Sequence, residues 1–199
     1  HTRYIGDWSS DVCSCDLKGD VVLVMGSGPI GCLHVRVARA LGAAKVFLAD
    51  INGGRVKLAA DVVKPDATID MSTQDLAAEL KKLTDGRGPN IIITAAPSGK
   101  AQEDAISLVS AGGKVSFFGG LPKENPFIKC DSNIVHYKEV TLYGANGSSP
   151  AQNQQALNMI ASGEVKVSDL ITHRVKLENV QSAIDAVLSG QAIKVVINP

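Results

Sequence analysis

Short unbroken apolar runs alternate with amphipathic stretches along most of the chain. The clearest run, Val21-Val22-Leu23-Val24-Met25, breaks into Gly26-Ser27-Gly28-Pro29-Ile30-Gly31. A run this apolar reads as a parallel strand buried on both faces, and the glycines as a tight turn that opens a helix. That helix is predicted from Ile30 to Leu41, with Gly42 as its stop. A second strand follows over Lys45–Ala49 and ends in Asp50. Asn52-Gly53-Gly54 is a further turn, Arg55–Val63 a helix, and Lys64-Pro65-Asp66 its end. A short strand is expected around Thr68–Asp70, then a helix over Gln74–Thr84. Ser72 or Thr73 is the candidate cap of that helix, and Leu76, Leu80 and Leu83 mark one face. After the breaker Gly86-Arg87-Gly88-Pro89 come a strand at Ile91–Thr94, a helix at Ala101–Ser110 and a strand at Lys114–Phe118. Val140–Tyr143 reads as the sixth strand, and a last crossover helix runs from about Pro150 to Ala161. Strands alternating with helices predict an α/β fold: a Rossmann-type, doubly wound, six-stranded parallel sheet.

The two ends depart from this rhythm. Residues 169–175 are strand-like, Leu177–Leu188 is helical with Asn179 as cap and Gly190 as stop, and Ile193–Ile197 is a final strand. A sheet complete by Tyr143 has no place for them, so they want another partner surface, and uncovered they present an apolar edge prone to association. At the other end, His1–Asp16 follows neither period and holds the single Trp and two of the four Cys. It reads as a non-native stretch or a flexible arm without function. The expected division is therefore residues 1–16 as arm, 17–165 as dinucleotide-binding domain and 166–199 as a separate return segment.

Composition narrows the function classes. Hydrophobic residues make up 45% and charged residues 20%, and 20 basic side chains balance 20 acidic ones. No global field favours nucleic acid or a membrane surface. No apolar run approaches the ~20 residues of a membrane helix, and no signal-peptide pattern opens the chain. Cys13 and Cys15 are too close for a zinc knuckle and lack a second pair, while Cys32 and Cys130 read as reduced structural thiols. A reducing cytoplasm is the expected compartment. His34 in the first helix, His136 in a loop before a strand and His173 in the tail lack a Cys-His-Glu grouping. No catalytic residue or metal ligand is expected.

The candidate chemistry lies at the strand ends. Gly26 can take the turn, Gly28 lets a pyrophosphate approach the backbone, and Gly31 lets the helix pack close to the strand. Gly28, Pro29, Ile30 and Gly31 place backbone at such a phosphate, with free N–H groups at the helix start facing it. Asp50 lies 19 residues past Gly31, near the spacing of a ribose-binding carboxylate. With Ile51 beside it, Asp50 favours NAD, because its charge repels a 2′-phosphate. Arg55 lies along adenine and ribose, tolerates NADP, or is a solvated helix charge. Ala95 and Ala96 end one strand with small residues. Phe118, Gly119 and Gly120 end another and approach the nicotinamide, and Asn146 with Gly144 and Ala145 completes that wall. Each is equally what an ordinary buried strand-to-loop junction shows.

Taken together, Gly26–Gly31, Ala49-Asp50 with Arg55, Gly112-Gly113-Lys114-Val115 leading to Phe118-Gly119-Gly120, Ile171-Thr172-His173-Arg174 and Lys194-Val195-Val196 resemble the medium-chain dehydrogenase/reductase superfamily. Within it the likeness is to zinc-dependent sorbitol or polyol dehydrogenases, with threonine dehydrogenase close by. The resemblance covers about Leu17 to Pro199 and implies two domains: a GroES-like half holding the catalytic zinc on Cys, His and Glu, and a cofactor half. Only the cofactor half, with a C-terminal remnant of the missing GroES-like catalytic domain, has a counterpart here. Zinc is thus expected only in the missing half, and His173 is structural. The implied reaction is hydride transfer between NAD and a secondary alcohol or polyol, zinc-assisted in the intact parent, with this chain alone inactive. The implied assembly is a homo-oligomer, dimer or tetramer, paired near the sixth strand. Two other readings stand beside it: a zinc-independent quinone or enoyl reductase relative, against which Asp50 counts, and a non-catalytic nucleotide-binding module.

Overall fold

The computed structural model describes residues 17–199; the arm reading of residues 1–16, with Cys13 and Cys15, lies outside them. Six parallel strands form one sheet: β1 (Val21–Met25), β2 (Lys45–Asp50), β3 (Ala67–Asp70), β4 (Ile91–Thr94), β5 (Lys114–Phe117) and β6 (Thr141–Gly144). Their spatial order is β3-β2-β1-β4-β5-β6, so the strand order reverses between β1 and β4. This is the expected doubly wound sheet, and it places a crevice at the strands' C-terminal ends.

The sequence pattern explains the layering. Side chains alternate across the sheet, and β1, β2 and β4 are apolar at every position that counts. Val22, Val24, Val46, Leu48, Ile91 and Ile93 pack on one face against Cys32, Val35 and Ala38 of α1 (Pro29–Ala40) and Ala59 and Val63 of α2 (Gly53–Val63). Leu23, Met25, Phe47, Ala49, Ile92 and Val115 pack on the other against Leu76 and Leu80 of α3 (Leu76–Leu83) and Ala101 and Ala105 of α4 (Gly99–Leu108). Two layers of helices on one buried sheet result.

Three expectations are corrected at the helices. α3 begins two residues later than expected, and its cap is Asp75, whose Oδ1 accepts from the Ala78 N–H at 2.7 Å. Ser72 turns toward Asp70 instead, donating both its N–H and its hydroxyl to Asp70 Oδ1. Thr73 turns its hydroxyl back to the Asp70 carbonyl. α4 starts at Gly99, capped by Ser98. His136 is not in a loop: it belongs to a short helix, α5 (Ser132–Tyr137), capped by Asp131. The crossover helix α6 (Pro150–Ala161) forms as expected behind a Ser149–Gln152 capping box.

The tail makes its own unit. β7 (Ile171–Lys176) and β8 (Lys194–Asn198) pair in parallel as a two-stranded sheet, joined through α7 (Val180–Leu188). Asn179 precedes α7 but makes no side-chain cap. The tail is not left without a surface, since Leu170 and Ile193 enter the core of the α1 face. Arg36 of α1 clamps Asp169 with two bonds, 2.6 and 2.9 Å, and also donates to the carbonyls of Val62 and Lys166. Bidentate pairing of this kind fixes orientation as well as supplying attraction. The Arg36 guanidinium holds the Asp169 carboxyl well down, at about 2.

Candidate functional site

The strand register aligns the C-terminal ends in one row. Ala49 pairs with Met25, Met25 with Thr94, Thr94 with Phe117, and Phe117 with Gly144. The expected site residues begin just past that row. Ladder bonds carry on into the loops: Gly26 N–H to the Ala49 carbonyl, Ala95 N–H to Met25 and Gly119 N–H to Thr94, all at 2.7–2.8 Å. Gly26, Gly28, Asp50, Ala95, Ala96, Phe118 and Gly119 thus share one rim. Asn146 lies exposed past β6 at its far end.

Each glycine of the turn does a different job. Gly26 has φ 114°, a conformation L side chains rarely adopt, and a Cβ there would press on the Ala95 backbone at 3.0 Å. At Gly31 a Cβ would fall 1.8 Å from the Gly26 carbonyl oxygen, so α1 reaches the turn only because this residue has no side chain. Gly28 differs: its φ is an ordinary −71° and nothing lies within 4 Å of where a Cβ would stand. The space above it is open. It is the N-cap of α1, no side chain caps that helix, and Pro29 begins it. A helix end with uncapped N–H groups under an open glycine is a ready anion cradle. On the other strand end, Gly119 is required by contact, since a Cβ would meet Ala96 O at 2.6 Å. Buried Gln102 holds that loop by donating Nε2–H to the Gly119 carbonyl at 3.1 Å.

Asp50 is half-buried and held by three donors. Ser27 N–H and Ser27 Oγ–H both reach Oδ2, at 2.7 and 2.8 Å, and Asn52 N–H reaches Oδ1 at 3.0 Å. Asn52 in turn caps α2 through its side chain. Along the same rim Ile30, Ile51 and Phe118 stand 42%, 74% and 40% exposed. Three large apolar side chains on one rim offer flat surface for aromatic rings.

Arg55 is half-buried rather than solvated. It lies against Gly190, where a Cβ would sit 3.6 Å from its Nε. The tail comes back over the turn here, and a cleft of about 270 Å³ opens between Gly28, Pro29 and Arg55 on one side and Val187, Ile193 and Lys194 on the other. Lys194 is the residue that sequence reasoning missed as a site residue. Nothing in its spacing announces it, because a chain return across more than 160 residues brings it beside Gly28. Two cations therefore flank the cradle. A larger concavity, about 400 Å³, lies between α3 and α4 beside Met71, Gln74, Lys100 and Asp104, in the opposite layer and away from the turn.

His34, to which the sequence assigns no role, stands behind this rim. Its ring meets Phe118 edge-on with centroids 4.5 Å apart, and its Nε2 is buried without a partner. Burial drives its pKa down to about 4, so the ring is neutral near pH 7. It backs the Phe118 wall one helical turn behind Ile30. His173 is exposed, its Nδ1 3.0 Å from Thr172 Oγ1. Cys32 is buried with its thiol pushed up to about 11 by that burial, an inert setting. Among the described residues no group of three or more His, Cys, Asp or Glu gathers, so they offer no zinc centre. No described helix is long and apolar enough to cross a membrane.

The family model of the zinc-binding dehydrogenases matches residues 29–162. Among curated relatives, L-threonine 3-dehydrogenase of Rhizobium etli is 32% identical over 93% of this chain and 52% of its own length. The same enzyme of Ruegeria pomeroyi is 29% identical over 98% of this chain and 56% of its own. Sorbitol dehydrogenase of Halalkalibacterium halodurans is 30% identical over 92% and 52%. Among solved structures, a zinc-binding dehydrogenase of Sinorhizobium meliloti bound to NADP superposes with a TM-score of 0.83 at 26% identity, covering 94% of this chain and 55% of that one. An alcohol dehydrogenase of Thermotoga maritima gives 0.82 at 26% identity, covering 93% and 51%. The chain spans about half the length of the relatives it matches.

Proposed function

Because the chain belongs to the zinc-binding dehydrogenase family, we propose that residues 17–199 are the cofactor-binding part of an oxidoreductase that moves hydride between NAD and a secondary alcohol or polyol. The observation that carries this reading is the open Gly28 at the uncapped end of α1, one strand away from the fixed carboxylate of Asp50. A diphosphate fits the first and a ribose hydroxyl the second.

A nicotinamide cofactor supplies the hydride chemistry when bound; the residues of this chain bind and orient it. The Gly28–Gly31 backbone and the cations Arg55 and Lys194 take the charge of the phosphates. Asp50 accepts from the ribose, with Ile51 against the adenine. Ala95, Ala96, Phe118, Gly119 and Gly120 form the nicotinamide wall, and Asn146 closes its far end. One similar structure is bound to NADP, so the choice of dinucleotide rests on this chain's own Asp50, which meets a 2′-phosphate with like charge. Polarisation of an alcohol oxygen belongs to a metal centre that these residues do not build. We also assign the protein to the cytoplasm and to a homo-oligomer, since β6 leaves an exposed sheet edge.

The test is fluorescence titration of the purified chain with NADH, alongside assays with NAD and sorbitol or threonine. The reading expects saturable NADH binding and no steady turnover. Absence of NADH binding, or sustained NADH production by this chain alone, contradicts it.

A further inference from the structure

Asp50 is not left to find its own orientation. Its Oδ2 points inward and receives two donors from one residue, the backbone N–H and the hydroxyl of Ser27. Ser27 is 0% exposed. Oδ1 receives the Asn52 N–H and faces the rim. A carboxylate has about four acceptor positions. Three are occupied by the protein, and the remaining one lies on Oδ1, the rim-facing atom. The two oxygens therefore divide the work: one anchors and the other presents.

We propose that Ser27 is a positioning residue that sets the dinucleotide preference through Asp50. The inference rests on the reading of this rim as a dinucleotide site. A ribose carboxylate excludes a 2′-phosphate only if it cannot swing aside, since an acid free to rotate relieves the repulsion at little cost. The Ser27 and Asn52 backbone N–H groups hold one oxygen each whatever the side chain at position 27. The hydroxyl adds a second donor on Oδ2 and stiffens the carboxylate further. Residue type at this position is thus a setting of selectivity: Ser holds Oδ2 by two bonds, whereas Ala leaves it one. The hydroxyl also has nowhere else to go. Buried at 0% exposure, it would be left unpaired if Asp50 moved away, which adds the cost of a stranded buried donor to any displacement of the acid.

The test is a double-mutant cycle on the full chain, with NADH and NADPH affinities measured for the unaltered chain, S27A, D50N and S27A/D50N, and melting temperatures recorded for each. S27A is expected to lower the preference for NADH over NADPH about tenfold, the worth of one hydrogen bond to a charged group. In the D50N background S27A is expected to change neither affinity, because the group it acts through is gone. S27T, which keeps the hydroxyl, is expected to restore the preference. An S27A chain that loses affinity for both dinucleotides equally, or that loses it equally in both backgrounds, overturns the inference and makes Ser27 merely structural. A preference for NADH that survives S27A overturns it as well while leaving the site reading intact. Failure of the unaltered chain to bind NADH removes both.

Discussion

Gly28 and Gly31 look alike in the sequence and have opposite physical reasons. A methyl at position 31 collides with the Gly26 carbonyl oxygen, whereas one at position 28 meets nothing. Gly31→Ala is therefore expected to destabilise the fold by about 1–3 kcal/mol, as overpacking does. Gly28→Ala, at an ordinary φ, is expected to leave the melting temperature within about a degree or raise it, yet to weaken NADH binding by filling the cradle. Thermal melts and a NADH titration on both variants check this; equal losses of stability would contradict it. At His34 the argument turns on protons. The unfolded side chain takes up a proton near pH 6.5, but the folded one does so only near pH 4. The unfolded state binds more protons between these values, so stability is full above about 6.5 and falls as pH drops to about 4. The loss amounts to roughly 3 kcal/mol. Urea midpoints across that range are expected to flatten in His34→Phe. An unchanged slope would mean that the imidazole titrates freely.

The elements were legible wherever a buried apolar run met a turn residue, as in β1, β2 and β4. They were less legible where several polar residues compete. Ser72 or Thr73 is the expected cap, yet both hydroxyls turn toward Asp70, and Asp75 caps the helix instead. The glycine turn and Asp50 announced themselves because the proposed dinucleotide site is local there, one strand, one turn and one helix. Lys194 and the half-buried state of Arg55 did not, because they depend on the tail folding back. That return is fastened at Arg36 and Asp169. Asp169, held down at about 2 by Arg36, contributes its stability above its usual value near 4 and loses it as pH falls toward 2. Asp169→Asn is expected to loosen this fastening at neutral pH, seen as faster amide exchange across residues 166–198 with β1 and β4 unchanged. Uniform acceleration across the sheet would show that the tail and sheet unfold as one unit.

On the scale of the whole molecule, the sheet's rim and the returning tail flank the cradle from two sides. Apolar side chains remain exposed along α7 at Val180, Ile184, Val187 and Leu188, and on α6 at Leu157 and Ile160. The exposed apolar side chains of the tail thus lie mainly along α7, with Ile197 of β8 and Leu177 exposed as well. The central claim is that a dinucleotide sits on the rim between the α1 N-terminus and Asp50. Backbone amide shift mapping on the labelled chain with added NADH tests it most directly. The account predicts perturbations at Ser27, Gly28, Ile30, Gly31, Asn52, Arg55, Gly119 and Lys194. Perturbations confined to the concavity of Met71, Gln74, Lys100 and Asp104 between α3 and α4, or none at saturating NADH, would contradict it.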